Sequence, residues 1–245
     1  MDDYRTHLTT QATALIDALP GKVEAGVAFV ETFAGAGSAA QSEAFAAALD
    51  LDTAALNAPL AGLVVQSRQL LSAQLDELAL LDSWLSLSAP QIEDGNNFGV
   101  EVQMIALKVI STAQEKLVAE LDGLGDYHSQ RAAALEKLLP TLSEVSTTSK
   151  GTSQSKATGG KDGDEAKTSE SGSTDTKTTA STPRRAPDAV AAVVCVDLKW
   201  SHKLKRAAAT SLSAYATVGD MISKNMDKIT DPKGTKNGGG GFNMY

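Results

Sequence analysis

Cysteine, proline, aromatic residues and long apolar runs are all scarce in this sequence, and each shortage removes a class of structure. A lone cysteine, Cys195, excludes an intrachain disulfide. Aromatics make up 4% of 245 residues and proline occurs seven times, while Ala, Leu and Ser are abundant. That composition favours α-helix over a sandwich or barrel. Positive charge is also short: a formal charge of −8 argues against broad nucleic-acid binding as the main activity. The longest purely apolar run covers 189–196, well below the roughly 20 residues of a membrane span. The opening "MDDYRTHL" begins with acids and lacks the basic-then-apolar order of a secretory signal, so an intracellular soluble protein is expected. Within its apolar run, Cys195 reads as a small buried hydrophobe.

Recognisable reaction chemistry is missing as well. His7, His128 and His202 lie far apart, and no Glu-x-x-His pair suggests a di-iron bundle. No glycine-rich loop ends in Lys-Ser/Thr, and "DGDE" at 162–165 lacks the later glutamate of a calcium loop. No catalytic residue, metal ligand or cofactor is therefore expected.

What is present is helical periodicity, in four stretches. Leu8, Leu15, Leu19, Val23, Val27 and Val30 fall near one face, with Pro20 expected to kink or split that helix. After the "GAGS" break at 35–38 and a looser Ala-rich piece, Leu71, Leu75, Leu78, Leu81 and Leu85 form a second stripe that stops at Pro90. Val102, Ile105, Val109, Ala113, Leu117, Leu121 and Leu124 form a third, running to about Leu139 before Pro140. Leu204, Ala208, Leu212, Tyr215, Val218, Ile222, Met226 and Ile229 form the fourth. Four amphipathic helices without a strand pattern predict an all-α, elongated four-helix bundle. The second and third helices, at about 26 and 38 residues, would span roughly 40 and 55 Å.

Residues 146–189 contain no Val, Leu, Ile, Met, Phe, Trp or Tyr, so they are expected to form a disordered polar linker. The predicted organisation is helices one to three over 1–145, the linker over 146–189, helix four over 190–231, and a tail over 232–245. The cluster Lys199, His202, Lys203, Lys205 and Arg206 reads as a solvated face.

Two stretches call for more than packing. "PQIEDGNNFGVEVQ" at 90–103 joins two long helices with a turn longer than a hairpin needs. Gly95, Asn96, Asn97 and Gly99 tolerate turn backbone, and Ile92 and Phe98 could pack underneath and hold the loop in one shape. The chain ends in "TKNGGGGFNMY", a tether of about ten residues with a mean reach of roughly 17 Å, carrying an apolar end that could enter a partner's pocket.

The segment "SWLSLSAPQIEDGNNFGVEVQ" (83–103) closely resembles the activation loop and flanking helices of 11S (REG) type proteasome activators. "YHSQRAAALEKLL" (127–139) is similar to the end of their third helix, and "SAYATVGDMISKNMDKITDPKG" (213–234) to their last helix. The resemblance implies a ring, expected to be a heptamer of bundles, that caps the core (20S) proteasome without ATP and is not itself an enzyme. It implies that Tyr245 offers its carboxylate to a pocket lysine between α-ring subunits, with Met244 and Asn243 adding contacts. It further implies that the loop, Gln91, Ile92, Glu93, Asp94, Gly95, Asn96, Asn97, Phe98 and Gly99, opens the gate. Glu93, Asp94, Asn96 and Asn97 would touch the partner, Gly95 and Gly99 would shape the loop, and Phe98 would anchor it. The expected setting is cytoplasmic, nuclear or both, with no nucleic-acid or membrane partner. This chain departs from vertebrate relatives in carrying its polar insert between helices three and four, and in a longer glycine spacer. The alternative reading is a bundle-shaped adaptor whose tail docks on another partner. A membrane-active amphipathic helix and a hidden hydrolase fit the residues less well.

Overall fold

The computed structural model describes residues 1–49, 55–90, 97–138 and 187–234, and their regular secondary structure is entirely helical. The elements are α1 (Asp2–Glu31), α2 (Ala39–Ala48), α3 (Ala58–Ser88), α4 (Phe98–Gly123), α5 (Tyr127–Glu136) and α6 (Pro187–Thr230). A 3₁₀ turn, Leu124–Asp126, joins α4 to α5 where Gly123 and Gly125 weaken the helix. Side-chain caps mark two starts: Ser38 accepts from the Gln41 amide at α2, and Asn57 accepts from the Leu60 amide at α3.

α6 is the spine of the fold and packs against every other helix, while α3 lies between α1 and α4. Cross-helix pairs fix the directions. Asn57 meets Asp197 and Gln74 meets Ser211, so α3 runs parallel to α6. Gln103 meets Ile229 and Glu120 meets Arg206, so α4 runs antiparallel to it. Leu19 lies against Gly219 and Gly26 against Leu212, so α1 runs antiparallel to α6 and hence to α3. The starts of α1 and α4 therefore share one end of the bundle with the last turns of α3 and α6.

The interior is a leucine-rich seam that includes Leu71, Leu78, Leu81, Leu85, Leu117 and Leu204, all essentially inaccessible. Each such side chain contributes about 1.5–3 kcal/mol by leaving water. Phe33 is buried just past the end of α1 and stacks edge-on against Phe29.

Several sequence expectations need correction. α1 runs on through Pro20 and is not split there. Pro20 stands on the exposed side, where a carbonyl deprived of its donor can turn to water, while Leu15 and Leu19 hold the opposite face. Val27 (44% exposed) and Ile105 (55%) lie outside the core. Smaller residues take the inward positions: Gly26 lies against Leu212, and Ala106 is buried one position along from Ile105. The Ala-rich piece is a helix, α2. α6 begins at Pro187, three residues before the expected start at 190, because proline suits a first turn and Asp188 complements the helix dipole.

Cys195 is exposed, since Val193, Val194 and Asp197 take the inward face of that turn. The basic cluster is not simply solvated either. Lys203 donates to the Gly123 carbonyl at 2.6 Å and lies over the Trp200 ring, Arg206 pairs with Glu120, and Lys199 donates to Gln130. His202 lies against Gly37, whose φ of +78° and missing Cβ permit that approach.

Candidate functional site

α4 begins at the foot of the loop. Asn97 precedes it and is half-buried, and the Asn97 carbonyl accepts from the Glu101 amide at 3.0 Å, although its side chain makes no capping bond. Phe98 is 60% exposed, with Lys228 Nζ 5.9 Å from its ring centre. Val100 and Val102, two and four positions on, are the buried apolar residues at this foot. Gln91, Ile92, Glu93, Asp94, Gly95 and Asn96 lie outside the described residues, as do Asn243, Met244 and Tyr245.

Gly99 acts differently from the loop-shaping expectation. It is the second residue of α4 and buried, with no left-handed backbone. What requires glycine is space. A Cβ there would run into the backbone of Pro232, 2.6 Å from its carbonyl carbon and closer still to its oxygen and Cα. The segment leading to the tail thus rests directly on the segment leading from the loop.

One turn further, Gln103 is completely buried and donates from Nε2 to the Ile229 carbonyl at 2.8 Å. That carbonyl belongs to the last turn of α6, where four acceptors lose their helical partners. Pro232 sharpens the stop, because it brings no N–H for the Lys228 carbonyl. On either side of it, the Asp231 amide donates to the Asp227 carbonyl and the Gly234 amide to the Asp231 carbonyl, with Gly234 at φ +69°. Gln103 Oε1 meets no donor among the described residues, a deficit of about 1–3 kcal/mol that the single bond to Ile229 does not remove.

Sequence reasoning missed both Gln103 and Pro232 as site residues. Their signals were a glutamine in phase with the buried Ala106 and Ile110, and a proline just past the last apolar residue of the fourth stripe.

A second polar constellation lies at the opposite end. Asp197, 3% exposed, accepts from Tyr127 (3.0 Å), Arg131 (3.2 Å) and Asn57 (2.9 Å), while Arg131 also donates to the Ala55 carbonyl. Burial, then the neighbouring Asp197 carboxylate, push the Tyr127 phenol far above its ordinary range. Between the ends, burial and the hydrogen bond to Glu77 (2.6 Å) do the same to Tyr215. Both phenols are fixed donors rather than acids or bases at neutral pH. Among the described residues no cluster of three or more His, Cys, Asp or Glu could hold a metal ion, and no helix is long and apolar enough to cross a membrane.

Residues 54–144 match the family model described as proteasome activator PA28, C-terminal. Among curated proteins, Proteasome activator 28 of Dictyostelium discoideum is 38% identical over 65 residues, covering 26% of this chain and 29% of that protein. Proteasome activator complex subunit 3 of Homo sapiens is 36% identical over 55 residues, 22% of each. The chain therefore spans less than a third of the length of these relatives. Among solved structures, the 11S subunit of the Plasmodium falciparum proteasome, PA28, aligns with a TM-score of 0.56 at 19% identity, over 95% of this chain and 92% of that one. The archaeal 20S proteasome in complex with mutated P26 activator gives 0.63 at 15% identity, over 94% and 93%. These structural likenesses show the fold class, an all-α helical bundle. By its sequence matches, residues 54–144 of the chain are similar to the C-terminal region of the PA28 proteasome activators.

Proposed function

We propose that this chain is an ATP-independent, non-enzymatic activator of the core (20S) proteasome, working as a ring, a heptamer by family likeness. Its tails, ending in Asn243, Met244 and Tyr245, dock between subunits of the α-ring, and its loops open the gate. The proteins it matches are named as proteasome activators, and one structural neighbour is a complex with a 20S proteasome. The observation that carries the reading is the meeting of two roots at one end of the bundle, where Gly99 abuts Pro232 and Gln103 holds Ile229. A protein that must bind by one segment and act by another needs both to face the same partner.

The two segments have separate tasks. One short tail binds weakly, but several tails on a rigid ring act at high effective concentration, and avidity can add about 10²–10⁴-fold. Loops open a gate only by contacting its open state better than its closed one, because equal affinity for both shifts nothing. Loops rooted on a packed helix can make that distinction. The site of action is wherever core proteasomes are present, cytoplasm or nucleus.

The test is core-proteasome cleavage of a short fluorogenic peptide, with and without the purified protein and without ATP. A several-fold rise is expected. An intact ring that gives no rise overturns the proposal.

A further inference from the structure

We propose that Gln103 and Gly99 form a strut that fixes where the tail begins, making Gln103 a positioning residue for docking rather than for gate opening. The inference rests on the activator reading above. Both residues stand on α4, whose neighbours Val100, Val102 and Ala106 are buried in the bundle. From there Gln103 Nε2 caps the Ile229 carbonyl at 2.8 Å, and Gly99 leaves room for the Pro232 backbone. The amide orientation is forced, since a carbonyl can only accept.

Both contacts fall on the final turn of α6 and the residue pair that follows it. Without them that turn can fray. The tail would then start from a moving point several residues earlier in the chain. A longer and less directed tether lowers the effective concentration of each tail at its pocket, and the loss multiplies across the tails of a ring. The loop is untouched by the same change, because α4 itself stays packed. Tail and loop effects should therefore separate: disturbing the strut weakens docking and spares the maximum.

The test is Gln103→Met, which keeps the length and apolar bulk of the side chain and removes the donor. Pro232→Gly, which loosens the same turn from the tail side and leaves α4 and the loop unaltered, is a second variant. Stimulation of peptide cleavage by core proteasome is titrated with each protein, and native-state hydrogen exchange is read at the amides of Asp231 and Gly234. Half-maximal stimulation is expected at a concentration raised about fivefold, with the maximum and the ring mass unchanged. Exchange at the two amides should quicken by about tenfold, with none of that change near Gln74 and Ser211.

A wild-type protein that stimulates, beside variants with unchanged half-maximal concentration or unchanged exchange, overturns the strut. A fall in the maximum together with loss of ring mass assigns these contacts to bundle stability, and overturns it too. Should the wild-type protein fail to stimulate, the activator reading falls, and unchanged exchange would then remove the strut independently.

Discussion

Asp197 and Gln103 are both buried polar residues holding segments far apart in sequence, yet they do it with different resources. Around Asp197, three donors from α5 and the approach to α3 converge on one carboxylate, and Trp200 adds an edge-on contact to Tyr127 and a hydrogen bond to Gln130. Roughly 48 Å along α6, at about 1.5 Å per residue, Gln103 contributes one bond to Ile229 and leaves its own oxygen without a donor among the described residues. One end is over-determined. At the other, where loop and tail are rooted, the contact between α4 and the end of α6 includes the Gln103–Ile229 hydrogen bond and the close approach of Gly99 to Pro232. A protein that must adapt to a partner at one end gains from fixing the other.

That contrast predicts a division of phenotypes. The largest effects are expected on function from changes beyond the two roots. Deleting Met244 and Tyr245 should abolish binding to the core proteasome, measured by co-sedimentation, while leaving the thermal midpoint unchanged. Asn96→Tyr should abolish stimulation and leave binding largely intact, because it alters the loop and spares the tail. Retained stimulation in the loop variant, or retained affinity in the truncated one, would break the assignment of tasks.

Next in size comes Asp197→Ala at the opposite end. Removing the carboxylate leaves Arg131 buried without its counter-charge, a change of about 3–5 kcal/mol. The thermal midpoint should fall by on the order of 10 °C. Stimulation per folded ring should be unaffected at temperatures where the variant stays assembled. A loss of activity out of proportion to unfolding would show that the two ends are coupled and not divided in this way.

The same contrast explains what could be read in the sequence. The stripe of α6 was legible because 44 residues repeat one period, and Leu204, Val218, Ile222 and Ile229 are all buried as expected. The stripes of α1 and α4 slipped at Val27 and Ile105, because glycine and alanine carry the inward contacts there and size-based patterning overlooks them. Asp197 gave no signal, since its partners lie 66 to 140 residues away. The loop was legible as a likeness to a known motif, while the physical role of its last glycine emerged only from the proximity of Pro232, itself 133 positions further on. Of the disordered linker expected over 146–189, residues 146–186 lie outside the described residues, and 187–189 form the start of α6.

The smallest effect sharpens the comparison by chemistry. Tyr127→Phe removes one of three donors to Asp197 and leaves Arg131 and Asn57 in place, so at neutral pH it should cost about 1 kcal/mol. The folded-state pKa of Tyr127 is raised above the unfolded value of 10.0, through burial first and Asp197 second. A raised pKa favours the protonated form, so its stabilisation is complete below pH 10 and drains away as pH climbs above it. Each such phenol makes the stability curve steeper by up to about 1.4 kcal/mol per pH unit in that range. Phenylalanine has no proton to lose. Urea midpoints at pH 7, 9 and 11 should therefore show the variant behind at the first two values and level with or ahead of the wild type at the third. Parallel curves would mean that the Tyr127 hydroxyl meets solvent when the folded protein is made alkaline, and that the Asp197 end is less tightly closed than its hydrogen bonds imply.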